Sequence, residues 1–117
     1  MSQAHAISPQ DKRTIMFLLQ NAPEDTCLAS ELDGLMVEEL DDGGMGSKKL
    51  IPKGELSADR AFGKQLVLGE FIDSDNVPVS VAINIDGDNN LYELDVWKVD
   101  FSPVKSWPEP SAIRIVH

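Results

Sequence analysis

The strongest constraint on the fold is a regular alternation of residue types between Val77 and Ile85. Every second residue of this stretch is a β-branched aliphatic, and these residues are Val77, Val79, Val81, Ile83 and Ile85. Successive side chains of a β-strand point to opposite faces, so a period of two predicts a strand with one apolar face. The chain must therefore build a sheet that buries this face, and other segments must supply the neighbouring strands.

Five other segments are rich in β-branched, aromatic or aliphatic residues and are bounded by turn residues, which is typical of strands. They are Leu35–Leu40, Lys48–Ile51, Lys64–Ile72, Leu91–Phe101 and Ala112–Val116. Consecutive strands that are joined by short turns are antiparallel neighbours. We expect the last of these segments to be an edge strand.

A single principal helix is predicted over Pro9–Gln20. Ser8 offers an N-cap oxygen, Pro9 suits the first helical position, and Ile15 and Leu18 have the spacing of one helix face. One helix followed by many strands predicts an α+β domain. In this prediction the N-terminal helix packs on a mostly antiparallel meander sheet of five to six strands.

Length and charge narrow the possible functions. The 117 residues correspond to one domain, and residues 1–7 are predicted to be a flexible arm. Twenty acidic residues against ten basic ones give a net charge of −10, which repels nucleic acid and anionic membranes and favours either a basic partner or simple solubility. The N-terminus has no basic region followed by an apolar run, so we expect neither a signal peptide nor a membrane span, and a cytoplasmic location.

The stretch Leu91–Phe101 mixes aromatic and charged residues more densely than a core strand usually does. Glu93 and Asp95 are two residues apart, so they should share one face of the strand, which Trp97 continues. Asp100 adds a further carboxylate, and we call Glu93, Asp95 and Asp100 the acidic strip. The apolar residues change face just before Trp97, which predicts a β-bulge or a sheet that is covered on one side at each end.

Three interpretations of the acidic strip remain open. It can be a binding surface that uses Trp97 as well. It can be catalytic, because a carboxyl group beside an aromatic ring can have a raised pKa and act as a general acid, with Glu70 on a neighbouring strand as a further candidate beside Glu93 and Asp95. It can also be a solvated strip with cross-strand partners such as Lys98.

Glycines are concentrated in the segment from Gly43 to Ser47, which we call the glycine loop. The glycines supply the positive φ angles of a hairpin connection. The spacing is not that of a P-loop or a dinucleotide-binding turn, and Asp41 and Asp42 would repel phosphate. Because glycines allow close backbone approach, Gly43, Gly44 and Met45 are alternatively part of a binding surface.

Two aspartate-rich turns resemble the start of a calcium loop. Asp73 with Asp75, and Asp86 with Asp88, have the required first spacing, but the later glycine and glutamate positions do not match. Aspartate is also a common turn residue, so turns are the prediction for both segments.

The cysteine and histidine content argues against a nucleophilic or zinc site. Cys27 has only His5 and His117 as possible partners, and both are close to a terminus. A catalytic dyad needs a base that is held within hydrogen-bond reach, and structural zinc needs more ligands of this kind. A single cysteine also cannot form an internal disulfide. We therefore predict no metal and no cofactor.

Several motifs together resemble a small bacterial domain family of unknown function. They are the Leu18-Leu19 pair, the glycine loop, Asp73-Ser74-Asp75 and the stretch Glu93–Phe101. The resemblance covers roughly residues 10–105. It implies a small protein that functions on its own, and it transfers no catalytic residue.

Three hypotheses for function follow. The first is an acidic protein-binding module, in which the acidic strip, Trp97 and the glycine loop engage a basic protein. Its size and acidity are similar to those of immunity proteins, which suggests an inhibitor of a basic bacterial toxin by analogy. The second is a small carboxylate-dependent hydrolase. The third is a homodimer without catalysis, formed through the strand edge near Ile113–Val116, so the expected state is a monomer or a homodimer.

Overall fold

A computed structural model describes residues 4–23, 28–41, 43–54, 56 and 59–116. It contains the helix α1 (Pro9–Gln20) and two short 3₁₀ helices, Leu28–Leu32 and Pro110–Ala112. The strands are β1 (His5–Ala6), β2 (Met36–Glu39), β3 (Lys48–Ile51), β4 (Phe62–Ile72), β5 (Pro78–Asp86), β6 (Leu91–Lys98) and β7 (Arg114–Val116). Cys27, Asp42 and His117 lie outside the described residues.

All described strands form one antiparallel sheet in the order β1-β2-β3-β6-β5-β4-β7. The α+β class and the antiparallel pairing are thus confirmed. The predicted number of five to six strands is wrong, because His5 and Ala6 add a seventh strand by pairing with β2. The sheet is also not one continuous meander. The spatial order β3-β6-β5-β4 is that of a Greek key, in which the connection from β3 to β4 passes two strands.

The apolar face that the alternation in β5 predicts is buried. Val79, Val81, Ile83 and Ile85 are at most 2% exposed and lie in one apolar cluster with residues of β4 and β6. The helix α1 contacts β4 and β5, and its Ile15 and Leu18 belong to the same cluster. We call this side of the sheet the core face and the opposite side the outer face.

The helix begins and ends as its sequence indicates. Ser8 is the N-cap, and its hydroxyl oxygen accepts a hydrogen bond from the backbone N–H of Asp11 at 3.1 Å. Pro9 occupies the first turn, where a missing N–H costs nothing. At the other end, the Asn21 side chain donates to the carbonyl of Phe17 at 2.9 Å.

A β-bulge is present in β6, but at a different place from the one predicted. Ile85 pairs with Leu91 and Asn84 pairs with Glu93, so Tyr92 is the extra residue. Beyond it the alternation is regular. The inward residues are Leu94, Val96 and Lys98, and the outward ones are Glu93, Asp95 and Trp97. The apolar residues do change face just before Trp97, since Val96 is buried and Trp97 is exposed, but the strand continues through this point without the predicted bulge.

Gly69 of β4 permits close packing on the core face. A Cβ atom added there would lie 2.5 Å from Cγ2 of Ile113 and 3.2 Å from Cδ2 of Leu18. We expect Gly69→Ala to lower the free energy of unfolding by about 1–3 kcal/mol, because the added methyl group must push packed side chains apart. Urea unfolding measures this loss. Gly87→Ala is the control, since its Cβ would meet nothing within 4 Å. Equal stability of the two variants would contradict the packing.

Candidate functional site

The outer face carries most of the candidate residues on β6. Glu93, Asp95 and Trp97 lie there opposite Asn84, Ala82 and Ser80 of β5, respectively. The bulge at Tyr92 determines this arrangement, because it resets the alternation just before Glu93. Trp97, unlike its inward neighbours, is 49% exposed.

Trp97 packs against a second exposed aromatic residue. Its ring meets that of Phe101 edge-on, with 4.9 Å between the ring centroids and 72° between the planes. Phe101 is 62% exposed and has a φ of +65°, an uncommon conformation for a bulky residue. A hydrogen bond of 2.8 Å from its N–H to the carbonyl of Lys98 closes this turn. The turn thus places the Phe101 ring beside Trp97.

Further apolar side chains adjoin this aromatic pair. Val99 donates its N–H to the carbonyl of Pro78, and Pro78 pairs in register with Ile72 of β4. Val99 and Ile72 are both more than half exposed. We call Trp97, Val99, Phe101, Pro78 and Ile72 the apolar patch. Contiguous exposed apolar surface on a soluble protein commonly marks an interaction site.

The carboxylates of the acidic strip differ in their surroundings. Glu93 is half-buried and accepts a hydrogen bond of 3.1 Å from the side chain of Asn84. Burial raises the pKa of Glu93, and the nearby charge of Asp95 adds to the rise, although the Asn84 hydrogen bond opposes it. Asp100 is exposed, and hydrogen bonds from the hydroxyl and the N–H of Ser102 lower its pKa. Within the part of the chain that the structure describes, none of the three acids forms an ion pair.

Glu70 is separated from the acidic strip. It lies on β4 opposite Ser80, which in turn faces Trp97, and its carboxylate pairs with the guanidinium of Arg114 on β7. A cavity of about 380 Å³ is lined by Glu70 and Arg114. Glu93 and Asp95 line neither this cavity nor the cavities beside α1 and beside Asp86. None of these three cavities brings two of the candidate carboxylates together, as hydrolysis would require.

Some residues of the glycine loop are exposed and others are buried. Gly43 and Gly44 are exposed and have φ values of +77° and +84°. A Cβ added to Gly43 would lie 3.8 Å from the carbonyl oxygen of Phe101, so this end of the loop adjoins the apolar patch. Met45, in contrast, is buried.

The buried residues of the glycine loop form hydrogen bonds with the β6 backbone beyond the point where β3 ends. The Ser47 hydroxyl accepts from the N–H of Val96 at 2.8 Å and donates to its carbonyl at 3.1 Å. The Met45 sulfur lies 3.3 Å from the N–H of Lys98. Side chains thus replace the backbone partners that a longer β3 would have supplied. Met45 is thus held in the interior, whereas Gly43 and Gly44 lie at the surface.

The sequence suggested that Lys98 is a cross-strand partner in a solvated charged strip, and the structure differs. Lys98 is fully buried on the core face and is not a partner of the acidic strip. Its ammonium group donates to Asp73 Oδ2 at 2.8 Å, to Asp75 Oδ2 at 2.6 Å and to the carbonyl of Pro103 at 3.2 Å. Burial alone would lower the pKa of Lys98, but the hydrogen bonds to the two aspartates outweigh it and raise the pKa.

Asp73 ties the C-terminal segment to this cluster. Besides Lys98, it accepts hydrogen bonds from the backbone N–H groups of Ser74, Lys105 and Ser106. Burial opposes ionisation of Asp73, but these four donors outweigh it and hold the pKa well below its usual value. Asp75 also caps the predicted turn by accepting from the N–H of Val77. These two aspartates therefore bind a lysine in the structure.

A second buried ion pair joins Arg60 to Asp86 at 2.8 Å. Arg60 also donates to the carbonyls of Leu50 and Leu91, and its guanidinium lies 5.3 Å from the centroid of the Tyr92 ring. Burial raises the pKa of Asp86, but the N–H of Asn90 and the charge of Arg60 outweigh it and lower the pKa. Arg60 lies outside the segments that the sequence predicts as helix or strand, and no local pattern identifies it.

Other candidate chemistry is sparse in the described residues. His5 is exposed on β1, and its ring nitrogen lies 2.9 Å from the carboxylate of Glu39, which raises the pKa of the histidine. Among the described residues, no three His, Cys, Asp or Glu side chains are grouped so that they could hold a metal ion. No described helix has the length and apolar character needed to cross a bilayer.

Comparison with known proteins identifies a domain family. No curated protein and no solved structure matches the chain. A family model described as "Domain of unknown function (DUF6984)" matches residues 4–108. This range includes β1, the glycine loop and all of the acidic strip, and the match is consistent with the expected domain family of unknown function. Because the match covers most of the chain, the protein belongs to the DUF6984 family of domains of unknown function.

Proposed function

We propose that this protein is a binding module, rather than an enzyme, and that it recognises a basic protein through the outer face of its sheet. The observation that carries the proposal is the exposed Trp97–Phe101 pair, which lies beside carboxylates that form no ion pair within the described chain. Aromatic side chains provide much of the binding energy at protein interfaces. The apolar patch would therefore supply affinity.

The acidic strip would accelerate association with the partner and favour basic proteins over others. Its carboxylates add to a net charge of −10, and opposite charge on a partner accelerates association in a salt-dependent way. Gly43 adjoins the carbonyl of Phe101, and the exposed Gly43 and Gly44 would allow the backbone of a partner to approach closely. A basic bacterial toxin is the partner class that we propose first, with this protein as its immunity-type inhibitor. The size and acidity of the chain support this narrower proposal.

We expect Trp97→Ala to weaken the binding free energy of the partner by at least 2 kcal/mol, about thirtyfold in affinity, because it removes the largest side chain of the apolar patch. The partner is first obtained by affinity capture from the native host at low and moderate salt. Its affinity for the wild type and the variant is then measured by titration calorimetry. Asp95→Lys should mainly slow association, and this effect should fade as salt increases.

Phe62→Ala is the matched control for Trp97→Ala. Phe62 is 58% exposed, but it pairs with Asp86 at the opposite end of β5 from Ser80, the partner of Trp97. It should leave binding unchanged. Failure to capture a specific partner at either salt concentration would count against the proposal, as would equal affinity of the Trp97 and Phe62 variants.

A further inference from the structure

A separate groove lies on the other side of the molecule, between α1 and the C-terminal 3₁₀ helix. It has a volume of about 620 Å³, which is within the range of ligand sites. Met16 and Phe17 are half-buried and pack against the apolar core, while Pro9 and Pro110 flank them. The lining is therefore mainly apolar, and the thioether of Met16 can adapt to the shape of a ligand.

The same groove carries two cations in a strongly acidic protein. Lys12 and Arg13 line it, one helical turn before Met16 and Phe17. Both are exposed, and neither has an ion-pair partner among the described residues. Two described acids flank the lining residues in sequence: Asp11 pairs with Lys48, and Glu109 lies outside the lining of the groove.

The order of these residues along the helix defines a head and a tail. The cations lie towards the N-terminal end, where the helix dipole also favours negative charge. Beyond them the helix lining consists of Met16, Phe17 and then Gln20, which lies seven residues or about 10 Å along the helix from Arg13. A ligand that matches this order has one anionic group followed by a short, flexible apolar chain.

We propose that this groove binds a medium-chain fatty acid as a free monomer. The carboxylate bonds to Lys12 and Arg13, and the alkyl chain lies over Met16 and Phe17 beneath Pro110. This site is independent of the proposed protein-binding surface, since α1 covers the core face and the apolar patch is on the outer face. Failure of one proposal therefore leaves the other unaffected.

The test uses the full chain with ¹³C-labelled methionine methyl groups and decanoate below its micelle concentration. We expect decanoate to shift the Met16 methyl signal in a saturable way. The signals of Met36 on β2 and of the buried Met45 should stay in place. Affinity should increase about fourfold for each methylene from hexanoate to decanoate.

Two comparisons make the test specific. Arg13→Glu should weaken decanoate binding about tenfold or more, because it removes a charged hydrogen-bond donor. Lys53→Glu changes the net charge equally outside the groove and should have no effect. An unchanged Met45 signal shows that the variants are folded. Decyltrimethylammonium, a cation of similar shape, should bind much more weakly than decanoate.

The proposal is overturned by any of three results. The first is the absence of saturable Met16 shifts with decanoate. The second is equal binding of decanoate and decyltrimethylammonium, or equal loss in Arg13→Glu and Lys53→Glu. The third is a Met16 shift that depends on protein concentration without ligand, because a second copy of the chain would then occupy the groove.

Discussion

Asp73→Ala is expected to lower the free energy of unfolding by about 3–5 kcal/mol, the usual cost of breaking a buried ion pair by removing one partner. The variant leaves the buried ammonium of Lys98 with Asp75 and one carbonyl only. It also removes the acceptor for the N–H groups of Lys105 and Ser106. The C-terminal segment then loses these two hydrogen bonds to the turn after β4, while β7 still pairs with β4. Chemical unfolding followed by circular dichroism measures the loss.

The pH dependence of unfolding provides an internal check on Asp73. Its pKa lies well below the ordinary value of 3.8, so its contribution to stability is fully present above pH 4 and is lost as the pH falls further. The alanine variant lacks this contribution and should lose less stability than the wild type below pH 4. Asp95→Ala, an exposed substitution, should change stability by at most about 0.5 kcal/mol. Parallel pH profiles of Asp73→Ala and the wild type would contradict the assignment.

Patterns that repeat within a segment were predictable from the sequence. The alternation in β5 repeats over nine residues, so its buried face could be predicted without knowing any neighbour. The start of α1 was equally local, because Ser8 and Pro9 act within one turn. The edge position of β7 also agrees with the prediction, since β7 is the last strand in the order of the described sheet and pairs with β4.

Features that depend on distant partners were not predictable. Lys98 is a charged residue at the end of a strand, and such residues usually face solvent. Its burial is possible only because Asp73 and Asp75 approach it across 25 and 23 residues of sequence. The Greek key was not predictable for the same reason. β3 pairs with β6, and neither segment contains a sequence pattern that indicates this pairing. Met45 was predicted to belong to a binding surface because glycines surround it in sequence. It is buried instead, because its sulfur accepts a hydrogen bond from Lys98 at the edge of β6.

Arg60→Met is expected to cost a similar 3–5 kcal/mol, because it leaves Asp86 buried without its cation. Arg60 donates to β5, to Leu50 of β3 and to Leu91 of β6, so its loss weakens the β3–β6 junction of the Greek key. Arg60→Lys should not restore stability, since one ammonium cannot reproduce three bonds in the planar geometry of a guanidinium. Urea unfolding compares these variants.

Arg114→Met is the matched control for Arg60→Met. The ion pair of Arg114 with Glu70 is exposed, and exposed pairs contribute about 0–1 kcal/mol. The two substitutions are chemically identical and differ only in burial and in the number of acceptors. If both variants lose the same stability, the Arg60 pair is solvated in solution and does not hold the junction.

The two buried ion pairs lie at opposite ends of β5, which makes their effects separable. The backbone of Asp73 donates to the carbonyl of Val77 and accepts from the N–H of Asn76, which places Asp73 next to Pro78 at the start of β5. Asp86 is the last residue of β5, eight residues or about 26 Å from Pro78. Losses at such distances add. Their sum, about 6–10 kcal/mol, equals the whole stability of many domains, which is about 5–15 kcal/mol. We therefore expect Asp73→Ala/Arg60→Met to be unfolded in buffer by NMR while each single variant stays folded. A folded double variant would show that apolar packing alone maintains the sheet.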